Sequence, residues 1–544
     1  MSMHDLTRRD LVKAALAAMP AAAFDWNAIP VRADTPHQDD FDAVIIGSGL
    51  GGLSCAFAFA RKGYHPLVIE QHDKPGGYAT AFERPGGFVF DVSLHSTSVA
   101  ERSGVRNLIG GLPEITDVEF LPHPHLYRAI FPDYDIRVEQ RDLAGYLAKL
   151  ARLFPEEKAG IDSLFADMQT LFQEVGKLQT APGKIDMSRF PQEFPLLMRC
   201  SGQTWGQMMD AHLHDPKLKA VVSALWGYFG LPPSKLASFY YALPTVAYLE
   251  TGGYYPRGRS QTISNAMVKF IESHGGQVLL NTPVERILTK DGAAYGVRCA
   301  GGQEFRGRAV VSNASAWHTF HRMLEDDAAV AQYKERMAHF STSLSCFQVF
   351  LGLKQDLVGQ LGVEDSEVFW SPSYDDDAGY EHMRQADVEH GGYGVALYDK
   401  VFPGYSPKGK NTVNLIMLQG FDHWEPFAAD YRKGEKKAYL KEKERMAEIL
   451  IRRAEEALLP GLAKAIEVKE IGTPLTNLRY TGNYRGAIYG WDQTPTNSGG
   501  TRVGHTTPVK NLFLAGAWSR PGHGYGGVIQ SGLECCSEVV QAWG

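Results

Sequence analysis

Six cysteines in 544 residues, with no CxxC pair and no histidine at metal-ligand spacing, leave the chain little with which to build a zinc or iron–sulfur site. Cys55, Cys200, Cys299, Cys346, Cys535 and Cys536 read instead as buried free thiols. Long apolar runs are lacking as well, since none beyond an Ala-rich stretch near the start approaches the roughly 20 residues that cross a bilayer. Positive charge is not in excess: 55 Lys and Arg stand against 62 Asp and Glu, a formal charge of −7, which argues against nucleic acid as a partner. No Ser/His/Asp order or paired-carboxylate pattern stands out as a hydrolytic site. The hydrophobic content of 44% and charged content of 22% are ordinary for a globular protein, and the length calls for two or three domains.

What the chain does have is concentrated in residues 42–70. An apolar strand, Ala43-Val44-Ile45-Ile46, runs into Gly47-Ser48-Gly49-Leu50-Gly51-Gly52 and then into an Ala/Phe-rich helix. Gly47 permits the tight turn out of the strand, Gly49 lets backbone N–H groups approach a pyrophosphate, and Gly52 lets the helix pack on the sheet. The helix N-terminus adds unpaired N–H groups that face an anion. A second strand, His65-Pro66-Leu67-Val68-Ile69, ends at Glu70, 18 residues after Gly52. The carboxylate that holds a ribose hydroxyl is expected roughly 20 residues on. Strand, glycines, helix, strand and acid in that order predict a dinucleotide-binding βαβ unit.

Upstream, Thr7-Arg8-Arg9-Asp10-Leu11-Val12-Lys13 precedes an Ala-rich run over 14–24 and then Val31-Arg32-Ala33, a small-x-small cleavage pattern. Together these resemble a twin-arginine export signal. That route carries folded protein, as a protein that acquires its dinucleotide in the cytoplasm requires. Residues 1–33 are therefore expected to be a leader, with a periplasmic mature chain beginning near Asp34.

Downstream, the nucleotide-binding texture is interrupted twice. Residues 40–142, 255–316 and 470–544 are expected to form the cofactor domain, and 143–254 and 317–469 a substrate domain. In the first domain 88–90 reads as a strand, 267–273 as an amphipathic helix, and 276–280, 284–288, 294–299 and 304–311 as strands. The first insertion is rich in aromatics, among them Trp205, Trp226, Tyr228, Phe229, Phe239, Tyr240, Tyr241 and Tyr248. In the second, 347–351 and 413–417 are strand candidates, Asp375-Asp376-Asp377 reads as a solvated loop, and 432–456 as a surface helix of mixed charge.

Near the end, Leu512-Phe513-Leu514-Ala515-Gly516-Ala517-Trp518 leads a strand into a glycine turn, followed by Pro521-Gly522-His523-Gly524-Tyr525-Gly526-Gly527-Val528 and a closing helix. A second glycine-rich junction can bring another helix N-terminus to the same cofactor. With the Glu70 unit, this closure resembles the FAD-binding arrangement of the phytoene desaturase, carotenoid isomerase and retinol saturase family. The resemblance continues through Phe90-Asp91 and His95, residues 281–285, Val311-Ser312-Asn313-Ala314 and Gly486-Ala487-Ile488-Tyr489-Gly490-Trp491.

The resemblance implies an α/β fold: a Rossmann-like FAD-binding domain assembled from discontinuous segments, plus an α+β substrate domain, as in amine oxidases and carotenoid desaturases. It implies that Gly47, Ser48, Gly49, Leu50, Gly51, Gly52, Glu70 and Val284 hold the ADP half of FAD. Gly516 and Val528 would lie near the pyrophosphate and flavin, and Gly77, Tyr78 and His95 would edge the ring. Ser93 stands where a glycine is usual after the Asp, Arg259 where a second glycine or small residue is usual, and His523 where Gly or Gln often follows Pro-Gly.

The implied activity is oxidoreduction of C–C or C=C bonds, as desaturation, saturation or isomerisation, in a hydrophobic unsaturated molecule such as a carotenoid, retinoid or other lipid. His523 and His95 are the candidate proton-relay groups, because imidazole titrates near neutral pH. Tyr241, Arg257, Arg259 and Tyr525 are candidate substrate contacts, in a tunnel walled by the aromatic stretch over 205–255. No metal is expected; a membrane surface is a further candidate partner, and the electron acceptor is left open. An amine oxidase and a non-catalytic flavin-binding assembly factor are the rival readings.

Overall fold

The structure, a computed structural model, describes residues 24, 26–32, 41–99, 105, 118–180, 189–325 and 328–544. The strand β1 (Phe41–Ile46) is joined through α1 (Leu50–Arg61) to β2 (Pro66–Ile69), which pairs with it in parallel. On the other side of β1 lies β3 (Glu304–Ser312), whose two halves do different things. Its first half alternates between exposed and partly covered residues and pairs antiparallel with Ala293–Cys299. Its last four residues are all buried and pair in parallel with β1 and with Leu512–Leu514. A strand with one covered face needs alternation, whereas one with helices on both faces needs a continuous apolar run. Gln277–Leu279 extends the sheet beyond β2, and Val284–Lys290 completes the outer hairpin. Three separated parts of the chain thus make one sheet, as expected.

The last helix, Tyr525–Ala542, lies against α1 so closely that a Cβ on Gly532 would stand 2.2 Å from the Gly51 carbonyl oxygen. Cys55, Cys535 and Cys536 are buried at this contact, and all six cysteines are free and buried.

The second sheet has the order Ile466–Gly472, Ser345–Leu353, Asn411–Gln419, Tyr393–Ala396, β4 (Glu367–Trp370), Tyr127–Ile130 and Asp135–Val138. The strands expected at 347–351 and 413–417 are its second and third, paired antiparallel over nine residues. Tyr127–Ile130 and Asp135–Val138 fall inside the segment 40–142 expected for the cofactor domain, yet they pair with β4 and with each other. Their alternating burial offers a single apolar face, and the helices beginning at Leu143 pack into the same core. The substrate domain therefore starts before residue 127. The mixed-charge region is two helices, Glu425–Lys433 and Lys437–Ala457, separated at Gly434, whose φ of +88° ends the first. The Asp375–Asp377 run is a helix start rather than a free loop. Asp375 caps Asp376–Arg384, Asp376 accepts from the Trp226 indole N–H (2.9 Å), and Asp377 accepts from Ser234.

Arg8 and Arg9 lie outside the described residues, but the end of the expected leader does not. Trp26 meets Phe57 of α1 edge-on at 6.1 Å and lies under the Arg61 guanidinium at 3.8 Å. Ile29 is fully buried, the Arg32 N–H donates to the Lys62 carbonyl (2.9 Å), and the Arg32 guanidinium pairs with buried Asp42. A cut after Ala33 would strip this clasp from α1 and leave Asp42 without its counter-ion. Burial of Trp26 and Ile29 alone is worth about 3 kcal/mol. A protein beginning at residue 34 is therefore expected to release flavin several degrees below one beginning at Phe24. Flavin fluorescence during thermal ramps checks this; equal midpoints would show that the clasp adds nothing.

Candidate active site

Glycines at the end of β1 set the cofactor end of the site. Gly47 has a φ of +91°, and a Cβ on Gly52 would stand 2.1 Å from the Gly47 carbonyl oxygen, so neither position accepts a side chain. No side chain caps the N-terminus of α1 at Gly49, and Gly47, Gly49, Leu50 and Gly51 line a large cavity. Ser48 is buried beneath it, with N–H and hydroxyl both donating to Glu70 Oε2 at 2.7 Å. The His72 N–H donates to Glu70 Oε1 (2.9 Å), so the carboxylate is held in place at the cavity wall. Val284 lines the same end. Gly516 abuts Gly51 and Asn313 from below, while its neighbours Ala517 and Trp518 reach the cavity. Sequence reasoning gave Asn313 no role, although its amide is the common neighbour of Gly47, Gly49, Gly51 and Gly516. The quoted run Val311-Ser312-Asn313-Ala314 was the signal for it.

Further along the cavity, whose volume is about 1220 Å³, come Gly77, Tyr78, Ser93, His95, His523, Tyr525 and Val528. The Tyr525 hydroxyl donates to the Tyr78 carbonyl at 3.4 Å. Below this row lies Asp91, fully buried, with Tyr255 Oη–H (2.6 Å) and Ser260 N–H (2.7 Å) donating to Oδ2. The Ser260 hydroxyl (2.8 Å) and the Ser93 and Leu94 N–H groups (3.3 Å each) donate to Oδ1. Burial pushes the Asp91 carboxyl above its usual range, and these bonds pull the other way. The result is a post that fixes the turn carrying His95.

The apolar end is walled by Phe172, Leu225, Phe229, Phe239, Tyr240 and Tyr248. Tyr241 is not among them. It is fully buried on the far side of its helix, stacked on Trp205 at 4.6 Å and donating to the Val222 carbonyl (2.8 Å). A step of 100° per residue turns Tyr240 toward the cavity and Tyr241 away from it. Arg257 and Arg259 also lie off the cavity. Arg257 pairs with exposed Glu119 (2.5 Å), and Arg259 donates to the Val89 and Tyr405 carbonyls (3.1 and 2.5 Å) with its guanidinium over the Tyr405 ring. Arg259 has a φ of +75°, a backbone conformation that favours glycine.

Both candidate histidines line the cavity, but neither titrates near neutral pH. Burial takes His95 down to about 4, and burial together with the Arg502 charge takes His523 down to about 3. His523 is stacked on Tyr489 at 4.2 Å, and its backbone carbonyl accepts from the Tyr240 hydroxyl (3.3 Å). Both are neutral imidazoles, suited to hydrogen bonding rather than to storing a proton at pH 7. Sequence reasoning missed Glu367, a buried carboxyl in β4 beside His95. A single acid in the apolar run Val368-Phe369-Trp370 was its signal.

An uncapped helix N-terminus, side-chain-free glycines and a fixed carboxylate on one cavity wall fit a dinucleotide, and the cavity continues past them into an aromatic wall. These features define a dinucleotide-binding protein of the Rossmann-like class. The chain belongs to the flavin containing amine oxidoreductase family, whose sequence model matches residues 50–540, and FAD is the cofactor. It is 29% identical over 538 residues to all-trans-retinol 13,14-reductase of Danio rerio, covering 92% of this chain and 86% of the relative. It is 27% identical over 518 residues to prolycopene isomerase 1 of an Oncidium hybrid cultivar (93% and 84%). With the neurosporene-forming phytoene desaturase of Rhodobacter capsulatus the identity is 28% over 504 residues (90% and 92%). Among solved structures, putrescine oxidase bound to putrescine superposes with a TM-score of 0.60 at 14% identity, covering 92% of this chain and 99% of that one, a likeness of fold.

Proposed function

We propose that this protein is an FAD-dependent oxidoreductase that forms, saturates or isomerises C=C bonds in a long, hydrophobic, unsaturated substrate. The observation that carries the reading is one continuous cavity. It joins the glycine loop and Glu70 to a wall of Phe172, Leu225, Phe229, Phe239, Tyr240 and Tyr248. Burying an apolar chain there contributes on the order of 25 cal/mol per Å² before ordering costs, enough to draw a lipid from a membrane. The names of the sequence relatives point the same way, whereas the likeness to putrescine oxidase extends to fold alone.

FAD, when bound, supplies hydride exchange at its ring. The chain's own residues do the rest. Asp91 fixes the turn that presents His95, Tyr78 and Tyr525 close one side, and His523 is clamped between Tyr489 and Tyr240. The aromatic wall keeps water from the reacting carbons. An amine oxidase would instead need to hold an ammonium group, for which the aromatic wall offers no anion.

The test is anaerobic mixing of the yellow protein with polyenes, unsaturated lipids and amines. Before and after chemical reduction of the flavin, the polyenes are expected to change the flavin spectrum or to be isomerised. Bleaching by amines alone would refute the proposal, and bleaching by none would favour the assembly-factor reading.

Two further parts of the proposal concern place and surface. Export by the twin-arginine route is supported by the Arg8-Arg9 motif, and the packing of Phe24 and residues 26–32 argues for a mature protein that keeps them. The same cavity is lined at the surface by exposed Leu440 and Tyr480 beside Lys436, Lys443 and Arg479, a combination suited to an anionic membrane.

A further inference from the structure

At the junction of the His95 turn with the second sheet the cavity wall carries a polar patch, in which His95 and Tyr228 line the cavity. Glu367 in β4 and Tyr398, two residues beyond the paired strand Tyr393–Ala396, stand beside His95. Tyr228 completes the group, its hydroxyl donating to Glu367 Oε2 at 3.1 Å. Glu367 Oε1 is 3.9 Å from His95 Nδ1, too far for a hydrogen bond, and has no partner among the described residues. The His95 side chain is nine-tenths buried, and its Nε2 is likewise without a partner. Buried polar atoms are satisfied in the great majority of cases, and His95 lines the cavity, so its Nε2 is a candidate contact for a bound ligand.

The hydrogen bonds around Tyr398 decide which kind of atom. Its hydroxyl has one proton, and the Leu94 carbonyl, which can only accept, lies 2.7 Å away. His95 Nδ1 is farther off, at 3.3 Å. The proton therefore goes to Leu94, and toward His95 the Tyr398 oxygen acts as acceptor. Nδ1 must then carry the hydrogen of the neutral ring, which leaves Nε2 with a bare lone pair.

We propose that His95 Nε2 accepts a hydrogen bond from a hydroxyl group on the substrate, and that Tyr398 determines this preference by fixing the His95 tautomer. The assignment rests on the proposed function and narrows it: the substrate is an unsaturated, otherwise apolar alcohol, and its ether, aldehyde or carboxylate is discriminated against. A carboxylate or carbonyl would bring a second acceptor to the lone pair. An ammonium would find no settled anion, since burial pushes the Glu367 carboxyl up to about 8 and keeps it largely protonated at neutral pH.

The experiment titrates FAD-loaded protein with a conjugated polyene alcohol, its O-methyl ether and the corresponding aldehyde, following flavin absorbance and protein fluorescence. Wild type is expected to bind the alcohol roughly tenfold more tightly than the ether or aldehyde. His95→Phe, compared at equal flavin loading read from the absorbance ratio, is expected to bind all three alike. Tyr398→Phe removes the acceptor that fixes the tautomer, so Nε2 can donate, and the preference against the aldehyde should shrink while affinity for the alcohol persists. Equal binding of the three by wild type, or an undiminished preference in His95→Phe, overturns the assignment but leaves the proposed function standing. Failure of all three to bind overturns both.

Discussion

Replacing Gly52 by valine is expected to give a protein that is colourless or insoluble, while Gly504→Ala, made in the same domain, stays yellow. A Cβ at position 52 would lie 2.1 Å from the Gly47 carbonyl oxygen and 3.2 Å from Asn313. The nearest atom belongs to the backbone of the glycine turn, so no rotamer change relieves the overlap. Overpacking of this kind costs about 1–3 kcal/mol where side chains can give way, and more where they cannot. The strain also falls on the turn that faces the pyrophosphate, so FAD affinity should collapse before the fold does. At Gly504 a Cβ would meet nothing within 4 Å. The ratio of flavin absorbance to protein absorbance after purification measures both; a Gly52→Val protein with full flavin content would refute this view of the turn.

Asp91→Asn is expected to be the most damaging single change outside the glycine loop. Both Asp91 oxygens accept, and the donors around them are the Tyr255 and Ser260 hydroxyls and the Ser93, Leu94 and Ser260 N–H groups. An amide of the same size turns an NH₂ toward one set of these donors and leaves them buried without an acceptor. Each such group costs about 1–3 kcal/mol. The loss should therefore reach about 3 kcal/mol and should free the Ser93–His95 turn at the same time. Flavin-release midpoints on heating should fall by many degrees, and polyene-dependent spectral change should disappear even at low temperature. A variant with normal stability and normal response would show that Asp91 is not the post described above.

The cofactor half of the site was legible because its signals are local. A strand, a glycine turn, a helix and an acid at set spacing are each fixed by backbone geometry within 30 residues or so. The substrate half was less so, for reasons that differ by residue. Aromatic clustering pointed to 205–255, but composition does not give the phase of a helix, and phase separates Tyr240 on the cavity from Tyr241 in the core. Arg257 and Arg259 drew attention as charges, while their partners Glu119, Val89 and Tyr405 lie more than a hundred residues away in the chain. His95 and His523 line the cavity, and their loss of neutral-range titration is a product of burial, which no motif displays. Residues 127–138 were grouped with the cofactor domain because the partner strand, β4, comes more than 200 residues later.

The contact between Gly51 and Gly516 gives biosynthesis a fixed order. The first glycine turn leaves the ribosome early, yet its floor is supplied by Leu512–Leu514, Gly516 and the final helix. Pairing at such sequence distance is slow and waits until residues 512–542 have been made. A nascent chain, or one ended by a premature stop anywhere before 512, lacks the pieces that close the cradle. Bound flavin is therefore a certificate that residues 512–542 are present and in place, and any cellular step that admits only flavin-loaded molecules would also reject chains that stop before them.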